Sequence, residues 1–169
     1  MSERHIRAML AYASDFCAKR FAKTGEIAPM WHAVTSGGEH LYEPHPRASD
    51  KDTAMALIRA WFEIRDVVRY VYMGEAWTVE RVLTDAEVAA MDRDGVASNP
   101  DAIEVVMFQA EDSDFGMLTA HRKIIRPRGV KAYLAPLQML DELPHVPRGA
   151  AIQSEGRMVG LLPARGTKQ

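Results

Sequence analysis

Glu75 and Trp77 are the residues most out of keeping with their surroundings. They sit in Val67 to Trp77, a run of β-branched and aromatic residues that predicts a long strand covered on both sides. Alternation along such a strand places Glu75, Trp77 and Arg69 on one face. Burial there raises a carboxylate's pKa, and a nearby arginine or metal lowers it. A carboxylate tuned this way can act as a general base or a ligand. A structural role competes with that reading and carries more weight. If the strand leaves the core at Gly74, Glu75 is solvated or paired to an arginine, and structural ion pairs perturb carboxylates too. Gly74 itself points to a bulge or a close backbone approach.

A second group is His32, His40, Glu43 and His45, spread over two short strands that flank Ser36-Gly37-Gly38. A two-residue turn sets His32 opposite Glu43, an acid–base pair or half a metal site. A three-residue turn sets it opposite Tyr42 instead. One residue of register decides between them. Histidines on a hairpin are more often surface polar residues, and no metal is expected here.

The third group is basic: His121, Arg122, Lys123, Arg126, Arg128 and Lys131, with no acid between them. Alternation divides them, with His121 and Lys123 on one face and Arg122 and Arg126 on the other. Such a strand can hold an anionic partner, and Tyr133 nearby could stack a ring. The competing reading is neutralisation by acids on the preceding strand, with Glu104 near Lys123 and Glu111 beyond it. The chain's net charge of −2 and the lack of a recognition motif favour neutralisation and argue against nucleic acid.

Sharper chemistry is missing. The sequence has no Glu-x-Lys or Asp-x-Lys of a metal-dependent nuclease, no Gly-x-Ser-x-Gly elbow, no phosphate loop and no HExxH. The acidic turn Asp112 to Gly116 is too short for a calcium loop. The single cysteine, Cys17, permits no intrachain disulfide and lies among apolar helical positions, as a small buried hydrophobe would. The opening residues lack an apolar signal core and no apolar run reaches bilayer length, so a cytoplasmic location without membrane contact is expected. Charge is uneven along the chain. Residues 1–116 carry 12 Lys+Arg and 20 Asp+Glu, and residues 117–169 carry 9 and 3. The two parts either face each other within the fold or present the basic part to a partner.

The elements that must position these groups follow from periodicity. Ile6, Met9, Leu10, Ala13, Phe16, Cys17 and Phe21 form one helical stripe over residues 3–23, ended by Gly25. Residues 27–35 and 39–43 make a hairpin whose first strand, interrupted by Pro29, is expected at an edge or with a bulge. Ser49 or Asp50 caps a second helix that runs to about Ile64. After the long strand, Thr84 and Glu87 form a capping box for a short helix ending before Gly95. Strands follow at 103–110, 117–126 and 130–134, then a short helix at 137–143. The last residues are punctuated by proline and glycine.

The expected fold is therefore α+β: a two-layer, mostly antiparallel sheet of about five to six strands with two main helices on one face. Residues 1–143 form a single domain and 144–169 a tail that can dock. Length and composition suit one core without staples. The expected function is that of a non-catalytic binding or accessory protein without a cofactor, working through surfaces that include Trp77, Arg122, Arg126 and Tyr133. A homodimer is one form open to it. The alternative is a small metal-assisted hydrolase using Glu75 and His32, with Glu104 as an optional third member, at least two of them meeting in one cleft.

Overall fold

The computed structural model describes residues 2–140 and 160–163. Its elements in chain order are α1 (Ser2–Thr24), β1 (Met30–Thr35), β2 (His40–Pro44), α2 (Lys51–Ile64), β3 (Val67–Thr78), α3 (Asp85–Asp94), β4 (Ile103–Asp112), β5 (Gly116–Ile125), β6 (Tyr133–Leu134) and β7 (Gln138–Met139), with a 3-10 turn at Val96–Ser98. The strands form one antiparallel sheet in the order β2-β1-β3-β4-β5-β6, and β7 also pairs with β5. The fold is α+β. Beyond the expected strands there is the two-residue β7, formed where a short helix was expected to start. The rest of that expected helix, residues 141–143, lies outside the described residues.

The two helices do not share a face of the sheet. Strand alternation sends Val34, Val71, Met73, Val106, Phe108, Leu118 and Ala120 to one face, where they pack with Ile6, Met9, Leu10, Ala13, Cys17 and Phe21 of α1. Trp31, Ala33 and Tyr70 point to the other face, against Ala54, Met55, Ile58 and Phe62 of α2. The central strands β1 and β3 are apolar on both faces, so a single layer of helices would leave one of them wet. Trp31 is fully buried and meets the rings of Phe62, Tyr70 and Tyr72 at centroid distances of 5.7, 5.5 and 4.8 Å.

Local signals set most boundaries. Asp50 caps α2, accepting the Thr53 N–H at 2.8 Å. Thr84 and Glu87 form the capping box of α3. Gly25 ends α1 at φ +76°, a conformation costly to other residues, with its N–H on the Phe21 carbonyl. β1 is not an edge strand: it begins after Pro29 and lies between β2 and β3, although its register with β3 does shift, between Val34 and Thr35 and not at Pro29. Gly74 is not a bulge, since β3 pairs in unbroken register with β4. It is a point of close approach, where an added Cβ would stand 2.6 Å from the Tyr72 hydroxyl and 3.3 Å from Pro29.

The tail returns to the second face at Gly160–Pro163. Leu161 is buried in the cluster around Trp31. Its N–H donates to the Glu111 carboxylate, which also accepts the Tyr70 hydroxyl at 2.7 Å. Arg59 of α2 donates to the Gly160 carbonyl at 2.9 Å. No helix among the described residues is long and apolar enough to cross a membrane.

Leu161→Ala should lower the unfolding free energy by about 2 kcal/mol or more, as buried leucine truncations do. Urea denaturation measures it. A cost below about 0.5 kcal/mol would place the tail outside the cooperative unit.

Candidate functional site

α1 lies over β3, β4 and β5 and leaves the hairpin β1–β2 projecting beyond its flank. The gap is a cleft of about 620 Å³. Its walls are His5 and Tyr12 of α1 and His32, His40 and Tyr42 of the hairpin, and Arg69 of β3 also lines it. The hairpin register decides this. His32 pairs with Tyr42, not Glu43, so β2 sends His40 and Tyr42 to the same face as His32 and turns Glu43 away from it. His45 leaves the group as well, accepting the Trp31 indole N–H at 3.2 Å.

The rings in the cleft form one contact network. The Tyr42 and His32 rings stack at 4.4 Å with an interplanar angle of 16°. Tyr12 meets His32 edge-on at 5.8 Å. The Nε2 atom of His32 and Nδ1 of His40 are 2.9 Å apart. His32 is buried, and burial first, with His40 second, pushes its pKa down to about 4. It is therefore neutral at pH 7, and one proton occupies the contact with His40. Its other nitrogen, Nδ1, is buried without a hydrogen-bond partner among the described residues. Burial, then a hydrogen bond with Tyr12, pushes the Tyr42 hydroxyl up to about 12.

Arg69 is held from behind. Its Nε donates to Asp112 at 2.5 Å. Asp112 is buried and accepts the N–H groups of Asp114 and Phe115 as well. Burial raises its pKa, but these donors and Arg69 win and hold it below the usual carboxylate value. The pair fixes the guanidinium on the sheet and leaves its two terminal nitrogens without a hydrogen bond among the described residues.

The other sequence candidates are placed elsewhere. Glu75 stands on the α1 face but lines no part of this cleft. Its Oε1 accepts the Ile27 N–H at 2.7 Å, tying the α1–β1 connection to the end of β3. Glu104 takes both arms of Arg126, at 2.8 and 2.7 Å. Its expected neighbour Lys123 is opposite Val105 and pairs with Glu80 at 2.5 Å, beside His121 at 2.8 Å. Arg122 lies under α1, donating to Ser14 at 2.6 Å and to the Ala135 carbonyl at 3.2 Å, with Asp15 at 3.6 Å. Trp77 and Tyr133 are about half exposed. Cys17 is buried, and burial, opposed by Arg122, pushes its thiol up to about 12, far from a thiolate.

Sequence reasoning singled out His32 and His40 and gave Tyr42 as one of two partners open to His32, but missed Arg69's place here, Tyr12 and His5. One signal pointed to them: His5, Ala8 and Tyr12 recur at helical spacing, a row flanking the core stripe of α1. Among the described residues no three histidine, cysteine, aspartate or glutamate side chains are grouped to hold a metal.

Fold and site together define an α+β protein with a ring-lined cleft at the edge of its sheet, free of acids among the described residues. Comparison with protein-family models, curated proteins and solved structures returned no match.

Two outcomes follow from these contacts. Arg122→Ala leaves the buried Ser14 hydroxyl unpartnered and should cost about 2–4 kcal/mol, whereas Arg126→Ala, at an exposed pair, should cost less than about 1. Paired urea titrations check the difference. The second concerns pH. His32 has a folded pKa of about 4 against an ordinary value of 6.5. The unfolded chain therefore takes up the proton first as pH falls, and stability present above pH 6.5 is lost toward pH 4. His45 and His121, also lowered by burial, act in the same direction. His32→Gln should flatten the fall in urea midpoint between pH 7 and pH 4.5, and an unchanged slope would contradict it.

Proposed function

We propose that this chain is a non-catalytic binding protein and that the cleft between α1 and the β1–β2 hairpin is where it takes a small organic ligand. One observation carries the reading: a cleft of about 620 Å³, within the range of small-molecule sites, walled by four hydrogen-bonded or stacked rings and, among the described residues, lined by no carboxylate. Rings already locked against one another lose little freedom when a ligand enters, which favours binding. A reaction would need more. Among the described residues the His32–His40 contact has no carboxylate or carbonyl orienting it, and no serine, threonine or cysteine lines the cleft as a nucleophile. The metal-assisted hydrolase requires at least two of Glu75, His32 and Glu104 in one pocket. Of these only His32 reaches the cleft, while Glu75 and Glu104 are engaged with the Ile27 amide and Arg126.

A fragment survey read by amide chemical shifts tests this. Ligands should move the signals of Tyr12, His32, His40 and Tyr42 together. Ala8→Trp, an exposed helix position on the cleft wall, should abolish the response while leaving the fold intact. Shifts that cluster elsewhere, or that survive Ala8→Trp, would remove the proposal.

A further inference from the structure

Resting on that reading of the cleft, we infer the class of its ligand: a planar aromatic ring system carrying a carboxylate, the ring lying against Tyr12 and Tyr42 and the carboxylate meeting Arg69. Three observations converge on it.

The first is charge. The chain as a whole is net acidic, at −2. Yet among the described residues no aspartate or glutamate lines the cleft, and Arg69 supplies a permanent charge. The remaining polar groups are imidazoles and phenols, which can all donate hydrogen bonds to an anion. A cation entering the cleft would find no counter-charge there. An anion would find the terminal nitrogens of Arg69, whose charge Asp112 shares only from the Nε side.

The second is the state of the arginine. Asp112 engages Nε and holds the guanidinium in place. That leaves Nη1 and Nη2, the end of the fork that matches the two oxygens of a carboxylate. The side chain is only 15 % exposed, so a bound anion is shielded from competing water and salt. A neutral ligand would pay to desolvate this guanidinium without pairing it.

The third is geometry. Val34 pairs with both Arg69 and His40, and His32 with both Val71 and Tyr42. Arg69 and His40 thus flank Val34 in one cross-strand row, with His32 and Tyr42 in the next. Neighbouring rows on one face lie about 7 Å apart, so the guanidinium and the stacked rings stand in adjacent rows. Tyr42 presents a half-exposed ring already stacked on His32, and Tyr12 a second exposed ring across the gap. Flat walls of this kind prefer a flat ligand.

The test compares three ligands on the unaltered protein by calorimetry and amide shifts: 2-naphthoate, its neutral amide 2-naphthamide, and the saturated decahydronaphthalene-2-carboxylate. The expected result is that 2-naphthoate binds one to one, about tenfold or more tighter than either comparator. Shifts should centre on Tyr12, His40 and Tyr42. Arg69→Lys, which keeps a charge for Asp112 but loses the fork, should weaken 2-naphthoate by about fivefold or more and leave 2-naphthamide unchanged. Equal affinity for the amide would overturn recognition of the anion. Equal affinity for the saturated acid would overturn recognition of the ring. Absence of 2-naphthoate binding at about millimolar concentration would overturn the inference outright. In those three cases the cleft itself still stands or falls by the fragment survey. If 2-naphthoate binds but its shifts lie elsewhere and persist in Ala8→Trp, cleft and ligand class fall together.

Discussion

β1 and β3 are apolar on both faces, and that single constraint shapes the molecule. A strand offers its side chains alternately to two sides, so Tyr70 and Val71 cannot enter the same core. Two cores must therefore form. α1 closes one and α2, helped by the returning tail at Leu161, closes the other. Burying both faces of the central strands removes several large rings from water, with Trp31, Phe62, Tyr70 and Phe108 all essentially inaccessible. What remains open is decided by subtraction. α1 is set over β3 to β5, so the edge hairpin stands partly uncovered, and the cleft is that uncovered margin.

The buried polar groups show how the uneven charge along the chain is resolved. Arg122 reaches under α1 to Ser14 and toward Asp15, Lys123 and His121 converge on Glu80, and Arg126 takes Glu104. Each contact joins the basic C-terminal part to the acidic N-terminal part. The basic run thus works inside the fold as a set of ties between the sheet, α1 and the α3 excursion. A charge truncated at the buried tie strands its partner, while one at the exposed tie leaves both to water.

The cleft differs from these ties because its groups are not mutually exhausted. Asp112 uses one edge of Arg69 and leaves the other, and His40 uses one nitrogen of His32. Rings supply the walls, and among the described residues that line it the fixed charge is positive. In the proposed reading such a site selects by shape and by the sign of the ligand's charge rather than by chemistry performed on it. The hairpin turn is the quiet determinant: one residue fewer in the loop would turn Glu43 toward His32 in place of Tyr42 and give the cleft an acid.

Much of the architecture was legible along the chain. The α1 stripe, the Asp50 cap of α2, the Thr84–Glu87 capping box, the long β3 and the β4–β5 hairpin all depend on contacts within a few residues, and local spacing encodes those. The division of the basic strand between two faces was legible too, since alternation is intrinsic to a strand. The helices' assignment to opposite faces was not. The apolar composition of β1 and β3 required two covers but did not say which helix takes which side. The site was mostly illegible for a related reason. His32 stood out by type, yet its partners come from α1, β2 and β3, and only strand order and a one-residue register bring them together. Glu75 stood out for its apolar surroundings, and the structure engages it with a backbone amide 48 positions away. Sequence by itself determined which segments form helices and strands, because that rests on local geometry. Tertiary structure alone decided which polar groups neutralise one another and which stay open, because that depends on distances between segments remote along the chain.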